Sequence, residues 1–212
     1  MTVKKKHLIL DTSLFVNPAC AHYFGNSPTA ALTRFLEMAE EAHHLDFSMP
    51  PSVYAELMHF ADEQQVPKKL LLLVQKKAPK KHELRIPGIF LYQLVEEMRD
   101  RVDRGLRLAE RHVREALLVS PPPAEQKPSP EKIRADAEII GRLRETHRRI
   151  MREGMLDSKA DVDLLLLTYE VDGVLVTGDG GLQAWAENLG LVLLSPDHLH
   201  DLLSVSANKP VL

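Results

Sequence analysis

Short apolar runs punctuate the first and last thirds of the chain. They fall in "HLIL" at 7–10, "DFSM" at 46–49, "VLV" at 174–176 and "LVLL" at 191–194, and each is long enough for one buried strand. Runs this short are typical of strands that are covered on both faces of a parallel sheet. The sequence therefore predicts at least four strands in a buried sheet.

Amphipathic stretches with helical spacing separate these runs. One begins at Ser27 and Pro28, which suit the N-cap and first turn of a helix, and another follows the second strand and carries Glu56. Further helices are predicted within 66–79, 157–171 and 183–188. Alternating strands and helices predict an α/β fold with a mostly parallel sheet.

The middle of the chain has a different character. Residues 88–119 form a long, charge-laced helical pattern, the proline-rich stretch 120–130 ends it, and a second long helix is predicted from Pro130 to Glu153. We interpret 86–153 as a helical hairpin inserted into an α/β domain made of 1–85 and 154–212.

Acidic side chains stand at several points where predicted strands end or helices begin. Asp11 ends the first strand, Asp161 and Asp163 begin a helix, and Asp179 follows a later strand in "TGDGG". In a parallel sheet these positions share one edge, where open α/β sheets bind their ligands. We expect the four aspartates to converge there, with Glu56 as a further member of the cluster.

Crowded carboxylates destabilise one another unless a cation neutralises them. Oxygen ligands favour Mg²⁺ or Mn²⁺ over zinc, and such ions activate water and orient phosphodiesters for hydrolysis. Thr12 or Ser13 could add a hydroxyl to this site. The set therefore points to metal-dependent displacement at phosphorus.

Each acid also has a simpler interpretation. Asp11 suits a helix cap, Asp157, Asp161 and Asp163 suit the electrostatics of a helix N-terminus, and Asp179 before two glycines suits a turn. For Asp11 alone the cap is the favoured interpretation. For the whole set, their shared placement at one edge favours the metal cluster.

The composition limits which functional classes and cellular locations the chain fits. The 212 residues are 44% hydrophobic, with a net charge of −3, so any nucleic-acid surface must come from local clustering of the 27 Lys and Arg. The lone Cys20 excludes an intramolecular disulfide framework and agrees with a reducing compartment. No apolar run is long enough for a signal peptide or membrane span, so we expect a cytoplasmic protein.

Other α/β chemistries lack their required residues. An aspartyl phosphatase wants a second acid two residues after its nucleophile, whereas Ser13 stands two residues after Asp11. Neither of the glycine-rich nucleotide-binding patterns G-x-x-x-x-G-K-[ST] and G-x-G-x-x-G occurs. A nuclease site remains the favoured hypothesis.

Taken in order, "LILDTSLFVNP", Glu56 in "VYAEL" and "ADVDLLLLTYEVDGVLVTGDGGLQAWAENLGL" resemble the PIN-domain ribonucleases. The long helical insertion with its proline-rich break and "DSKADVDLLLL" is similar to a narrower branch, the RNA ligase partner proteins. This branch includes the protein-only ribonuclease P enzymes that are homologs of Aquifex ribonuclease P.

The resemblance implies a PIN-like sheet and removal of the 5′ leader from precursor tRNA. It implies Mg²⁺ or Mn²⁺ held by the matching Asp11, Asp161, Asp163 and Asp179, with Asp157 as a further acidic position. Glu56 matches the second acid of PIN domains and ranks below the aspartates. A large homo-oligomer assembled through the inserted helices is also implied.

Basic side chains cluster near the end of the second long helix. They are Arg142, Arg144, Arg148, Arg149 and Arg152. Arg144, Arg148 and Arg152 share one helical stripe, and guanidinium groups suit phosphate oxygens. A solvated face or a set of interhelical ion pairs is the alternative, but beside a nuclease core we favour RNA binding.

Two other functions remain open at this stage. One is a different endoribonuclease of the same fold, either toxin-like or active in ribosomal RNA processing. The other is a catalytically inactive RNA-binding partner of an RNA ligase. The intact set of aspartates counts against the inactive partner.

Overall fold

The structure is a computed structural model that describes residues 5–118, 130–152, 156 and 158–207. The chain divides into two compact units, and each is described by itself below. The first consists of Met1–Pro87 and Leu156–Leu212, and the second is Gly88–Met155.

A five-stranded, all-parallel sheet forms the centre of the first unit. Its strands are β1 (Lys6–Leu10), β2 (Leu45–Met49), β3 (Val74–Lys76), β4 (Val174–Val176) and β5 (Val192–Leu194). They lie in the order β3-β2-β1-β4-β5, and every neighbouring pair is parallel. The predicted α/β fold with a parallel sheet is confirmed.

Helices connect the strands of this unit. They are α1 (Ser13–Val16), α2 (Pro18–Ala21), α3 (Pro28–Glu41), α4 (Pro51–Phe60), α5 (Lys68–Leu71), α8 (Lys159–Val171), α9 (Gly180–Asn188) and α10 (Pro196–Ala207), with a 3₁₀ turn at Glu63–Gln65. Helix α3 begins as its sequence predicts, because the Ser27 hydroxyl accepts a hydrogen bond from the Ala30 N–H at 3.2 Å.

The segment 66–79 differs from its prediction. The sequence predicts a short helix before Pro79, but only the single turn α5 is helical and β3 follows it at the edge of the sheet. The main chain of β3 pairs with β2, with Val74 opposite Phe47. Only tertiary pairing of this kind distinguishes a three-residue edge strand from the end of a short helix.

The core surrounds the central strand. Leu8, Ile9 and Leu10 of β1 are completely buried, because strands pair on both sides of β1 and α8 packs against it. Phe35 of α3 packs against Phe47 with ring centroids 5.3 Å apart in an edge-to-face arrangement. This packing fixes the position of β1, whose carboxyl end carries Asp11.

The second unit is a pair of long helices, α6 (Ile89–Leu118) and α7 (Pro130–Arg152), that pack against each other. Leu108 of α6 and Ile139 of α7 are buried, and Arg142 of α7 forms an ion pair with Glu115 of α6. Within the described residues, no helix is both long enough and apolar enough to cross a membrane.

Candidate active site

Asp11 lies directly after the central strand, at the carboxyl edge of the sheet. Its main-chain N–H donates to the Val176 carbonyl at 3.1 Å, which continues the pairing of β1 with β4 by one residue. The residue is only 7% exposed. Strand pairing therefore holds a carboxylate beneath the surface at the position predicted for a ligand site.

Two hydroxyl groups bind the same oxygen of this carboxylate. Ser13 Oγ donates to Asp11 Oδ2 at 2.5 Å, and Thr177 Oγ1 donates to Asp11 Oδ2 at 2.6 Å. The hydroxyls are held in turn by main-chain donors, since the Gly178 N–H donates to Ser13 Oγ at 2.9 Å and the Asp179 N–H donates to Thr177 Oγ1 at 3.0 Å. This network joins the ends of β1 and β4.

From the local sequence alone, Asp11 is predicted to cap the following helix, and this prediction is wrong. The residue at the N-cap position of α1 is Thr12, and no side chain forms a cap hydrogen bond there. Thr12 Oγ1 instead lies 3.4 Å from the Val53 carbonyl. Of the two hydroxyls proposed from sequence, Ser13 contacts the Asp11 carboxylate through its side chain.

An open cavity of about 400 Å³ lies above this network. Four acidic residues line it: Asp11, Glu56, Asp161 and Asp179. The remaining lining residues are Thr12, Ser13, Val16, Asn17, Phe60 and Ser158. Three of the four predicted aspartates and Glu56 therefore face one cavity, although the first and last of them are 168 positions apart in the chain.

Asp161 and Asp179 are positioned by helix starts. Ser158 caps α8 by accepting a hydrogen bond from the Asp161 N–H at 3.0 Å, which fixes Asp161 in the first turn. Asp179 is itself the cap of α9 and accepts from the Leu182 N–H at 2.9 Å. For Asp179 the capping and cavity-lining interpretations both hold, since a carboxylate has two oxygens.

The electrostatics of the cavity oppose negative charge. Burial raises the pKa of Asp11, hydrogen bonds from Ser13 and Thr177 act in the opposite direction, and the nearby charge of Asp179 raises this pKa further. Burial also raises the pKa of Glu56, with a further contribution from the charge of Asp11. Burial and the charge of a neighbouring acid therefore both disfavour the charged forms of Asp11 and Glu56.

Asp163 has a different environment from Asp161, although both lie on α8. It is 7% exposed and does not line the cavity. Lys81 Nζ lies 2.6 Å from Asp163 Oδ1, and Ser52 Oγ donates to Asp163 Oδ2 at 3.1 Å. Residues two apart on a helix point in widely different directions, which separates the two aspartates.

Among the described residues, only some of the predicted metal ligands lie at the cavity. No group of three or more His, Cys, Asp or Glu side chains among the described residues is close enough to hold a metal ion. Asp157, the further acidic position, lies outside the described residues. The structure gathers Asp11, Asp161 and Asp179 around the cavity but leaves Asp163 bound to Lys81.

Thr177 and Lys81 are site residues that the sequence reasoning missed. Thr177 carried a weak signal, because it ends a strand two residues before Asp179 in "TGDGG". Lys81 carried none, since its basic neighbours offer no indication of which one contacts an aspartate 82 positions away.

The predicted RNA-binding arginines lie on α7 of the second unit. Arg144, Arg148 and Arg149 are exposed, whereas Arg142 is exposed but paired with Glu115. The side chain of Arg152 lies outside what the structure describes. Arg142 thus forms an ion pair between the two helices, which is the alternative to RNA binding that the sequence left open.

Comparison with known proteins gives one consistent result. Residues 7–206 match the family described as PINc domain ribonuclease. RNA-free ribonuclease P of Thermodesulfovibrio yellowstonii is 42% identical over 200 residues, which covers 94% of this chain and 94% of that protein. RNA-free ribonuclease P of Pyrococcus abyssi is 42% identical over 184 residues, covering 86% and 84%.

A third relative covers almost the whole chain. RNA-free ribonuclease P of Nitrosococcus oceani is 37% identical over 207 residues, which is 97% of this chain and 98% of that protein. The resemblance found in the sequence motifs is therefore confirmed. The chain belongs to the PINc domain ribonucleases and, within them, to the RNA-free ribonuclease P family.

Proposed function

We propose that this protein is a metal-dependent endoribonuclease that removes the 5′ leader of precursor tRNA. The observation that carries the proposal is the cavity faced by Asp11, Glu56, Asp161 and Asp179, in a chain that is 42% identical over 94% of its length to an RNA-free ribonuclease P. The activity is phosphodiester hydrolysis. The lone cysteine and the absence of a long apolar run in the sequence support a cytoplasmic location.

The residues of the cavity fit a hard divalent cation. All four acids offer oxygen ligands, and a bound cation would counteract the burial and the neighbouring negative charge that raise the pKa values of Asp11 and Glu56. Mg²⁺ in proteins commonly keeps several waters and uses only one or two carboxylates, so three convergent side chains are not required. We propose Mg²⁺ or Mn²⁺ near Asp11, Asp161 and Asp179, with Asp163 and Asp157 as further acids.

When bound, such an ion lowers the pKa of water and stabilises charge on phosphate oxygens. The protein's own residues prepare the site for it. Ser13 and Thr177 donate hydrogen bonds to Asp11 Oδ2, so this carboxylate cannot rotate freely. The hydrogen bond from the Leu182 N–H likewise holds the Asp179 carboxylate beside the cavity. Glu56, whose pKa is raised by burial and by Asp11, is suited to accept a proton from an attacking water.

The arginines of α7 supply a second, separate element of the proposal. Arg144, Arg148 and Arg149 expose guanidinium groups, which bind phosphate oxygens through paired hydrogen bonds. Structured RNA is recognised mainly through its shape, its phosphates and its 2′-hydroxyls. We propose that these side chains, with Arg142 and Arg152, bind the folded body of the precursor tRNA.

An exposed apolar stripe on α6 supports self-association through the helical hairpin. Its members lie at steps of three, four and seven residues along one face: Leu91, Val95, Met98, Val102, Leu106, Val113 and Leu117. Arg99 and Asp103 border a shallow groove of about 410 Å³ along this stripe. Two antiparallel copies could cover the stripe and pair these opposite charges, so we propose a homo-oligomer.

The first prediction concerns cleavage. Wild-type protein with Mg²⁺ is expected to cut a leader-bearing tRNA precursor once, at the mature 5′ end, and Asp11→Asn is expected to reduce the rate about 100-fold or more. The reason is that Asn offers a neutral oxygen where the cation requires a carboxylate. End mapping of the products, with and without EDTA, measures both results.

A folding control accompanies this variant. Because burial raises the pKa of Asp11, the folded state disfavours its charged form, and Asp11→Asn should unfold in EDTA at neutral pH no more easily than wild type. A stable Asp11→Asn protein that still cuts at the wild-type rate would contradict the assignment. Internal cuts by the wild-type protein would instead indicate another type of endoribonuclease.

The second prediction concerns the arginine stripe. Arg144→Ala combined with Arg148→Ala should weaken binding of precursor tRNA about tenfold or more and lower the slope of log affinity against log salt by about 1 to 2. Binding measured at several salt concentrations in EDTA separates affinity from cleavage.

A matched control removes two exposed arginines from the other helix. Arg107→Ala combined with Arg114→Ala causes the same change in net charge on α6 and should weaken binding much less. Equal effects of the two double variants would show that the net charge of the hairpin, and not the α7 stripe, determines affinity.

The third prediction concerns assembly. Met98→Asp combined with Val102→Asp places charges in the centre of the α6 stripe and should convert the assembled protein to smaller species in sedimentation velocity. Leu72→Asp, at an exposed apolar residue of the first unit, is the control and should leave the assembly unchanged. Monomeric wild-type protein would contradict the proposal.

A further inference from the structure

One aromatic side chain is exposed at the acidic cavity. Phe60 lines the cavity together with Asp11, Glu56, Asp161 and Asp179, and it is 53% exposed. The other five phenylalanines of the chain are between 0% and 9% exposed. Among the described residues of the first unit, Phe60 is also the most exposed aromatic. A single exposed apolar residue is common, but a ring that lines a cavity is available to a ligand there.

Helix α4 places this ring and Glu56 on the same face. Phe60 is the last residue of α4 and follows Glu56 by four positions, so their Cβ atoms lie about 6 Å apart. The main chain beside the ring is fixed, because Leu57 and Ala61 are buried and the Ala61 N–H donates to the Leu57 carbonyl at 2.9 Å. The exposed ring therefore stands on an ordered backbone.

The chain that follows α4 is also held in place. The Asp62 N–H donates to Thr29 Oγ1 at 2.9 Å, which joins the end of α4 to α3. Little main-chain freedom is lost when a ligand contacts Phe60, and a phenyl ring has only two side-chain torsions to fix. Phe60 is therefore a preorganised apolar surface beside the acids.

The charge of the cavity limits how RNA can contact it. The four carboxylates repel phosphate groups, except where a bound cation lies between the two. Nucleobases carry no charge, and their flat rings stack on aromatic side chains. Phe60 therefore offers an attraction for RNA that does not depend on positive charge.

The unpaired leader of a precursor tRNA supplies a base that can reach this ring at small cost. The first nucleotide of the mature product is paired in the acceptor stem, so stacking its base on Phe60 would first require breaking that pair. The leader nucleotide on the other side of the scissile bond is single-stranded and can turn its base outward. This leader base is the one that suits Phe60.

We propose that Phe60 stacks on the nucleobase of the leader nucleotide next to the scissile phosphodiester, and so places that bond among the acids of the cavity. This inference rests on the proposed function, because it concerns the substrate of that site. Every base has a flat π face, so stacking tolerates any base. Phe60 therefore positions the substrate without selecting a leader sequence.

A double-mutant cycle between protein and RNA tests this contact. Phe60→Ala removes the ring, and a precursor tRNA with an abasic residue at the leader nucleotide beside the cut removes the base. Each change alone should raise the Kd about tenfold, within the range for base–aromatic stacking, and the two together should raise it no further. Phe60→Tyr retains an aromatic ring and should bind the unmodified precursor as wild type does.

The binding measurements use the full-length protein in CaCl₂. Ca²⁺ is a hard cation that binds oxygen ligands, so it reduces the repulsion between the acids and the RNA in place of Mg²⁺. Gel analysis after each titration verifies that the RNA is intact.

Matched controls show whether the effect is local. Tyr169→Ala removes an exposed aromatic of the first unit that does not line the cavity, and its Kd should match that of wild type. An abasic residue several positions further into the leader should affect wild type and Phe60→Ala equally. Because Phe60 is exposed, Phe60→Ala should melt close to the wild-type temperature and keep the wild-type sedimentation coefficient.

The outcomes are distinct from those of the cleavage assay. Additive effects of the two changes, or an unchanged Kd in Phe60→Ala, would overturn the inference. An altered sedimentation coefficient of Phe60→Ala would also overturn it, because Phe60 would then contact a second copy of the chain. Coupled effects on the Kd, together with a wild-type protein that leaves precursor tRNA intact in Mg²⁺, would support the inference and reject the proposed cleavage.

Discussion

Burying the Asp11 carboxylate at the point where β1 and β4 end is the costly step on which the site depends. A charged group removed from water destabilises the fold unless hydrogen bonds or opposite charges compensate. Ser13 and Thr177 supply two short hydrogen bonds to one oxygen, and each hydroxyl is held by a main-chain N–H of the loop after β4. The same contacts that reduce this cost also bring Asp179 to the cavity. Local stability and site geometry are thus consequences of one network.

The two buried aspartates differ in what offsets the cost of burying their charge. Asp11 has hydroxyl donors, whereas Asp163 has an ammonium. Burial raises the pKa of Asp11 in spite of the hydrogen bonds from Ser13 and Thr177, so a cation beside Asp11 would stabilise its charged form. Asp163, two residues from a cavity acid, has an ammonium 2.6 Å away. Asp163 therefore has its positive partner within the chain. Asp11 is bound by hydroxyl groups instead, so a cation from solution is its candidate partner.

The sequence was informative where a pattern is local and repeated. The apolar run of β1, the Ser27 cap and the two long helices α6 and α7 were predicted because strand burial, capping and helical spacing depend on near neighbours. Strand β3 was missed because three residues at a sheet edge carry no periodic signal. The convergence of Asp11, Asp161 and Asp179 was predictable from parallel topology. The direction of each side chain was not, so the pairing of Asp163 with Lys81 appeared only in three dimensions.

We propose that folding gathers Asp11, Asp161 and Asp179 around one divalent cation. Crystals of the protein grown or soaked with Mn²⁺, with diffraction recorded near the manganese absorption edge, provide the test. We expect an anomalous peak in the cavity, from a manganese ion bound by carboxylate oxygens of Asp11 and of at least one other of these aspartates. Mn²⁺ bound only elsewhere on the protein, or an empty cavity at millimolar Mn²⁺, would contradict the claim.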